Sequence, residues 1–529
     1  MPVCSRCQNT KSECRYVRSR RGLRPKPQTE DNQPDLVDDG LPLFSPMGDP
    51  FPDWLSSSAL ADLEVFTWAD MVNISTNQSQ TGQAMFPTLD TPQTLDLPNI
   101  PGDDALTFPV AQPEPPALDI AYDPMIQLYY QGFHRSHPFI VPRKALNTTL
   151  SSRVPQSTLS IMRYIGAHYY PDPTFKEIFR NPAYAGLSDG TVFNGFRVQN
   201  MLLLSIVEHA QGNEDSAHQT IQAAITLALE IGMNRASFAR DNAWGSPIIE
   251  ESWRRTYWEL YVINGTLAAM RDQNSFVLHT QEAEVGLPCE ESIYNNINMI
   301  PTPTTSMEDL KSYWSHNVGQ EFSSFGYRIE AARMLGSVLA LNNSLDINED
   351  ALVETTEASL VASLLHFPVS QQQSFPSSDY DDLIFQAQMI LYLGLIHLHH
   401  PRSNMRFASF HAQTSCTRLR ALESNSHAVE LDLHSHKLLR SANMLSNLAT
   451  LPGQVKHRTP FFTCALAMAV IVHVAGCLIV IGSDKEEPIR ARIQLGLGAL
   501  NALGKVWPLA AVVRRQLVDM YHEVGLGCK

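Results

Sequence analysis

The amino-acid sequence predicts an all-α fold, in which a large helical domain over 119–529 follows an acidic linker. From about residue 119 onward apolar residues recur at helical spacing, as in Ile221, Ile225 and Leu229 after a polar start at 213–215. Strand-like alternation is scarce along the same region. Hydrophobic residues at 44% and charged residues at 18% support a sizeable core, and they exclude a coiled-coil rod or uniform disorder.

Individual helices follow from apolar runs and from their stop signals. Gly232 is placed to end the helix that contains Ile221, because glycine accepts the left-handed backbone of a helix end. Long loops are predicted around 286–310 and 366–381. Further apolar helical runs are predicted near 195–210, 382–400, 438–450, 461–482 and 490–522.

One predicted helix carries an aromatic stripe. Trp253, Tyr257 and Tyr261 are spaced four apart, and a helix turns 100° per residue, so they share one face. This spacing favours packing in the core. The alternative interpretation is an effector pocket that the same aromatic face partly lines.

The charged residues of this helix are expected on its outer face. Arg254 and Arg255 point away from the aromatic stripe and are predicted near the edge of the core. Glu251 and Glu259 each lie four residues from Arg255, so both are predicted to pair with that side chain.

The stretch 461–482 is long enough to span a bilayer. It contains no Lys, Arg, Asp or Glu over 22 residues. His473 near its centre and several small residues favour a buried core helix instead. A membrane span is the alternative, and the chain is predicted to have no membrane partner.

Charge divides the chain into three parts. Residues 1–27 hold eight Lys or Arg and one acid, a net of +7, whereas residues 28–118 hold fifteen acids and no Lys or Arg, a net of −15. The total is −15, so the remaining residues carry −15 − 7 + 15 = −7. This split predicts a basic tip for a polyanion, a solvated linker and a folded body. The sequence shows no secretory signal, and eight Cys make no disulfide framework, so the chain is predicted to be intracellular.

The linker 28–118 is predicted to be disordered. It holds thirteen of the 34 prolines and only scattered hydrophobes, too few to offset chain entropy. Two islands, 49–55 and 60–72, interleave acids with bulky apolar groups, a pattern typical of segments that bind a partner groove. Binding to a partner groove is the prediction, and an accidental sticky patch in a linker is the alternative.

Three cysteines near the N-terminus form a C-x2-C-x6-C motif. Cys4, Cys7 and Cys14 supply thiolates, which suit zinc, but three ligands leave a structural site incomplete. The cations Arg6, Lys11 and Arg15 would offset thiolate charge.

Other histidines and cysteines are given structural roles. His134 and His137, and the group His397, His399 and His400, are predicted to make hydrogen bonds at helix ends rather than to bind metal. The remaining cysteines form no close pairs in the sequence and are predicted to be buried, inert thiols: Cys289, Cys416, Cys464, Cys477 and Cys528.

The N-terminal motif resembles the second half of the fungal binuclear zinc-cluster (Zn2Cys6) DNA-binding domain. Residues 2–7 and 14–16 carry that likeness, and Cys4, Cys7 and Cys14 match the fourth to sixth cysteines of the family. The body over 120–525 resembles the middle homology region of the same regulators. Its most specific matches are 251–261 and 287–291.

The family's first half, with its own C-x2-C-x6-C and a base-reading helix, has no counterpart here. A start codon assigned inside the true gene or a real loss of that half explains its absence. The resemblance implies zinc as cofactor, in an incomplete site, and DNA as partner. The cations predicted to contact DNA, mainly its phosphates, are Arg6, Lys11, Arg15, Arg18, Arg20, Arg21, Arg24 and Lys26.

The resemblance implies a nuclear, sequence-specific regulator of RNA polymerase II genes in a fungus, with a biosynthetic gene cluster as one type of target. The acidic segment would recruit transcriptional coactivators. The helical body would restrain or tune activity, and a small-molecule effector and a homodimer or heterodimer are partners left open. The alternative is a regulatory protein that no longer binds DNA and pairs with an intact relative. An all-helical enzyme is the third hypothesis, and the absence of clustered acid/base or nucleotide motifs argues against it.

Overall fold

Helices supply nearly all the regular structure between residues 120 and 525. The computed structural model describes residues 120–187, 194–296, 298–301, 305–310, 322–342, 349–365, 367, 380–405, 407, 412–419, 432–480 and 486–525. Within these ranges β-structure is limited to an isolated antiparallel bridge between Gln413 and Arg418. The predicted all-α fold is therefore confirmed.

The first half of the described region contains short and medium α-helices and one long helix, α7. They are α1 (Pro124–Leu128), α2 (Gln156–Ala167), α3 (Thr174–Ala185), α4 (Gly195–Gln211), α5 (Glu214–Glu230), α6 (Ala236–Asp241), α7 (Pro247–Met270) and α8 (Glu291–Tyr294). Helices α4, α5 and α6 all contact α7.

The second half adds longer and more apolar helices. They are α9 (Ser324–Leu341), α10 (Glu349–Leu365), α11 (Asp382–His399), α12 (Leu433–Asn447), α13 (Phe462–Val480), α14 (Glu486–Leu503) and α15 (Pro508–Glu523). Helix α9 packs against both α7 and α11, and α13 packs against α12, α14 and α15. The hydrophobic core is continuous through both halves.

Polar caps and glycines set several helix ends. The side chain of Asn194 accepts a hydrogen bond from the N–H of Arg197 at the start of α4. The next helix, α5, begins at Glu214, and Gly232 follows its end with φ +75°. This is the helix and the stop signal that the sequence predicts.

The final apolar run is two helices, not one. The sequence predicts a continuous helical run over 490–522, but α14 ends at Leu503 and α15 begins at Pro508. Proline has no N–H to donate and clashes with the preceding turn, so it is favoured at the first turn of a helix, which is its position in α15. Trp507, fully buried, fills the corner between the two helices.

The predicted core helix over 461–482 is confirmed as α13. Residues 462–477 are all buried. In the described ranges α13 is the helix that is long and apolar enough to cross a membrane, and 83% of its most apolar window is buried inside the protein. His473 hydrogen-bonds through Nε2 to Oδ1 of Asn443, at 2.9 Å, which satisfies one polar atom of the helix.

The predicted loops are only partly described. The region 286–310 contains the short helix α8 as well as irregular chain. Most of the loop predicted at 366–381 lies outside the described residues.

Candidate functional site

The predicted zinc and DNA contacts lie outside the described residues, as does the acidic segment 28–118. They therefore stay predictions from the sequence. They are Cys4, Cys7 and Cys14 for zinc, and Arg6, Lys11, Arg15, Arg18, Arg20, Arg21, Arg24 and Lys26 for DNA.

The aromatic stripe of α7 is buried, as predicted. Trp253, Tyr257 and Tyr261 are 2%, 0% and 6% exposed. The Trp253 ring meets Phe196 edge-on with ring centroids 4.9 Å apart, and its Nε1 donates to the carbonyl of Asn242 at 3.0 Å. Because its polar atom is paired, this tryptophan sits in the core without an unsatisfied donor.

The prediction that Arg254 and Arg255 lie near the edge of the core is wrong. Their exposed fractions are 3% and 0%. Helix α7 is covered on its polar face as well as on its aromatic face, because α9 and the chain around 287–291 pack against it. A charge in such a place needs its own partners.

Arg255 finds those partners on three separate segments. Its Nε donates to Glu251 Oε1 at 2.9 Å, its Nη1 to Glu291 Oε2 at 2.5 Å and to the Pro138 carbonyl at 3.0 Å, and its Nη2 to the Cys289 carbonyl at 2.9 Å. Burial lowers the pKa of Arg255, but the two carboxylates outweigh it and the net shift is upward. The guanidinium therefore stays charged and joins α7 to two other parts of the chain.

The predicted pair between Glu259 and Arg255 is wrong. Glu259 Oε1 instead accepts from Nη2 of Arg328 at 2.6 Å and from Nδ1 of His137 at 2.7 Å, with all three side chains fully buried. Burial raises the pKa of Glu259, but the Arg328 charge and the His137 hydrogen bond outweigh it and the net shift is downward. Glu259 therefore stays ionised in the core.

His137 is a neutral hydrogen-bonding side chain. Burial lowers its pKa in spite of the hydrogen bond to Glu259. Its Nε2 lies 3.1 Å from Thr459 Oγ1, so both ring nitrogens have partners. Arg328 donates to the same oxygen of Glu259, so its positive charge already occupies the place beside this carboxylate where a metal ion would have to bind. The described residues contain no group of three or more His, Cys, Asp or Glu placed to bind a metal.

The predicted hydrogen bonding of His134 at a helix end is wrong. Its two ring nitrogens are buried without a hydrogen-bond partner, and the ring packs edge-on against Tyr130 with centroids 4.7 Å apart. Burial lowers the pKa of His134 to about 3. The imidazole therefore acts as a neutral aromatic ring in this core.

Two thiols that are distant in sequence meet in the structure. Cys464 interacts with Cys416, and Nε2 of His209 lies 3.2 Å from Cys464 Sγ. Burial and the Cys416 hydrogen bond raise the pKa of Cys464 well above its ordinary value, so the thiol stays protonated. Burial likewise raises the pKa of Cys289 to about 12. These are the inert thiols that the sequence predicts, but no spacing signal revealed the contact.

A cavity of about 300 Å³ opens beside the first turns of α7. Trp253 contributes to its wall, as the effector-pocket alternative supposed, whereas Tyr257 and Tyr261 do not line it. The sequence did not predict its other walls, because they come from the chain around 233–240 and 284–286.

Comparison with known proteins finds two likenesses, both to regulators of transcription. Residues 126–362, which contain α7, the Glu259–Arg328 pair and the cavity, match the family described as "Fungal specific transcription factor domain". The chain is 29% identical over 532 residues to the C6 finger domain transcription factor iacK of Pestalotiopsis fici, covering 98% of this chain and 78% of that relative. No solved structure matches the chain. Both likenesses support regulation of transcription in a fungus as the function of this protein, and neither is to an enzyme.

Proposed function

We propose that this protein is a nuclear, DNA-binding regulator of RNA polymerase II transcription in a fungus. The match of residues 126–362 to a fungal transcription factor domain carries the proposal. The basic, cysteine-bearing segment 1–27 and the acidic segment 28–118 fit the two further parts that such a regulator needs, one for DNA and one for coactivators.

Zinc is the metal that the N-terminal donor set suits. Cys4, Cys7 and Cys14 supply three thiolates, the ligands that zinc prefers, and neighbouring cations ease their deprotonation. Bound zinc would hold this segment in a fixed shape, so that its arginines and lysines contact DNA phosphates together. The C6 finger name of the relative supports the same metal.

A second candidate is a regulator that acts through an intact relative rather than through its own DNA contacts. One observation favours it, since three thiolates are fewer than the four ligands of a closed structural zinc site. In that case the helical body supplies the interaction with the relative, as a homologous partner.

Chromatin occupancy tests the two candidates against each other. The full chain is tagged in the native fungus, its promoter occupancy is mapped, and transcripts are compared with those of a deletion strain. Serine at both Cys4 and Cys7 is expected to abolish occupancy, whereas Cys528→Ser, a cysteine outside the motif, is the matched control. Unchanged occupancy in the double variant supports the second candidate, and a deletion strain with no altered transcripts contradicts both.

The activation function is assigned to the two apolar islands of the acidic segment. Replacing Trp54, Phe66 and Trp68 by Ala in the full chain is expected to lower target transcripts several-fold while occupancy is kept, because large aromatics dominate partner grooves. The matched control replaces three polar residues of the same segment, Gln78, Gln80 and Gln83. Equal levels of target transcripts in the aromatic variant and its control would show that the two islands act only as linker.

A further inference from the structure

We propose that the cavity beside the first turns of α7 is a binding site for a small aromatic monocarboxylate. Its volume of about 300 Å³ lies at the lower end of the range for small-molecule sites. The walls combine buried apolar side chains with five charged ones, so the cavity is more highly charged than most small-molecule sites.

The inner wall is apolar and aromatic. Met233, Phe238, Trp253 and Val285 are all less than a tenth exposed, yet all four face the cavity. The Trp253 and Phe238 rings are already in edge contact, with centroids 6.4 Å apart. A planar aromatic body fits against such rings because aromatic groups pair in edge-on and offset arrangements.

The polar wall is the guanidinium of Arg254, which is 3% exposed. Its Nε donates to Glu251 Oε2 at 2.9 Å, and its Nη1 donates to Glu250 Oε1 at 2.6 Å. Its Nη2 also lies 2.9 Å from Glu251 Oε2, but the direction of its N–H bonds leaves it without a hydrogen-bond acceptor. This nitrogen is itself covered, so a ligand oxygen accepts from it only when the Arg254 side chain turns toward the cavity. A buried donor without an acceptor is costly, so that turn is favoured when a ligand supplies the missing acceptor.

The charged side chains at the rim of the cavity favour a ligand with a single negative charge. Arg235 and Arg240 add two exposed cations beside Arg254, whereas Glu250 and Glu284 add two carboxylates. The three arginines oppose a cationic ligand. The two glutamates, together with Glu251 beside Arg254, oppose a doubly charged phosphate, so one carboxylate is the largest negative charge that these groups accommodate.

A ligand bound in this cavity would also affect the buried charged residues of α7. Glu251, which holds Arg254, also accepts from Arg255 Nε and from the N–H of Cys289, each at 2.9 Å. A carboxylate on Arg254 would therefore change the electrostatic balance at the point where α7 meets the chain around 289. That this change controls transcription rests on the proposed function, whereas ligand binding itself does not.

Isothermal titration calorimetry with the purified full chain tests the site directly. The probes are 3-phenylpropionate, its neutral analogue 3-phenylpropionamide, and inorganic phosphate. The acid is expected to bind about tenfold more tightly than the amide, since a charge-assisted hydrogen bond is lost in the amide, and phosphate is expected not to bind. No DNA is present in the titration, so a failure of ligand binding can be distinguished from a failure of the proposed function in the chromatin experiment.

Three variants locate the binding. Arg254→Lys keeps the charge but loses the forked donors, and it is expected to weaken acid binding about tenfold. Ala236→Trp places a bulky side chain at the exposed rim and is expected to abolish binding of both organic probes, in a protein whose circular dichroism matches the wild type. Arg180→Gln, an exposed arginine on α3, is the matched control and is expected to bind the acid as the wild type does.

Several outcomes would overturn the proposal. They are no heat of binding with millimolar acid, equal affinity for acid and amide, phosphate binding more tightly than the acid, or full acid binding by the Ala236→Trp variant. The last of these would place the binding elsewhere on the chain.

Discussion

Helices α13 and α7 are both enclosed by protein, but they reach that state with opposite side chains. Residues 462–477 of α13 are buried and carry no Lys, Arg, Asp or Glu. Residues 251–270 of α7 are buried too, and they include two glutamates and two arginines. Transfer from water drives the burial of α13 and of the aromatic stripe of α7, whereas the charges of α7 are buried only where they have partners, several of which come from other segments.

This difference separates what packing and pairing each contribute to the fold. Apolar surface needs only to be covered, so many neighbouring side chains could cover α13. The charges of α7 accept few alternatives, since Glu259 requires Arg328 from α9 and Arg255 requires Glu291 from α8. The charged helix therefore fixes which segments meet, while the apolar helix supplies bulk to the core.

The largest effect is expected where the buried ion pair is broken. Glu259→Gln should lower the free energy of unfolding by about 5 kcal/mol, because it leaves Arg328 charged and uncompensated in the core. Urea unfolding of the full chain, followed by circular dichroism, measures the change. The matched control is Glu250→Gln on the same helix, where the carboxylate is 30% exposed and the expected loss is below about 1 kcal/mol. Equal losses in the two variants would contradict the distinction drawn between pairing and packing.

Removing the main aromatic of α7 is expected to cost slightly less. Trp253→Ala should destabilise the protein by about 4 kcal/mol, the usual size for a buried aromatic, because the ring leaves a void between Phe196 and Phe238. Thermal and urea unfolding measure it. Trp244→Ala is the control, since that ring is 57% exposed, and a change within about 0.5 kcal/mol is expected. A small loss at Trp253 would show that the stripe lies at a loosely packed surface.

Lowering the pH is a further test of the comparison between α13 and α7, because α13 contains one titratable imidazole in an apolar setting. Burial, and then the charge of Arg492, lower the pKa of His473 from 6.5 to about 3. Between those values the unfolded chain binds a proton that the folded chain does not, so stability falls as the pH is lowered through this window. From pH 7 to pH 5 this histidine alone should cost about 2 kcal/mol.

The variant His473→Gln tests that contribution. Glutamine keeps a donor for Asn443, which bonds the imidazole Nε2, but it does not titrate. Urea unfolding at pH 7 and pH 5 should show a smaller loss of stability in the variant than in the wild type. The exposed His436→Gln is the control and should keep the wild-type pH dependence. If the variant loses as much stability between pH 7 and pH 5 as the wild type does, the imidazole of His473 takes up a proton in the folded wild-type protein.

The sequence predicted the two helices unequally, and the reason is physical. An uncharged apolar run identified α13, and periodicity identified the face of Trp253, because burial of apolar groups leaves a signal in the local sequence. It failed for Glu259, since helical spacing offered Arg255 as a partner while the actual partners come from distant positions, His137 and Arg328. Long-range pairing has no local signal in a single sequence.

The same limit applies to the cavity and to the two thiols in contact. The cavity needs the chain at 233–240 to lie against α7, and the contact between Cys416 and Cys464 needs a loop to meet α13. Trp253 was the part of the cavity that could be predicted, because an aromatic face suggested either a core or a pocket. The break before Pro508, by contrast, had a local signal in the proline itself.

The smallest effect is expected for Arg254→Ala. It is compared with the same substitution at the adjacent Arg255, which is almost equally buried. Arg254 is held by Glu250 and Glu251 of its own helix, so Arg254→Ala removes no link between segments and leaves Glu251 paired with Arg255. A loss of about 1 kcal/mol is expected, the size of a lost hydrogen bond, because Glu250 is 30% exposed and Glu251 keeps its bonds to Arg255 and to the Cys289 N–H. Arg255→Ala, measured alongside by urea unfolding, should cost about 3–5 kcal/mol, because it removes every bond by which this side chain joins α7 to Pro138, Cys289 and Glu291. If the two substitutions cost the same, burial alone would set the value of a charge in α7, and the number of segments that it joins would not matter.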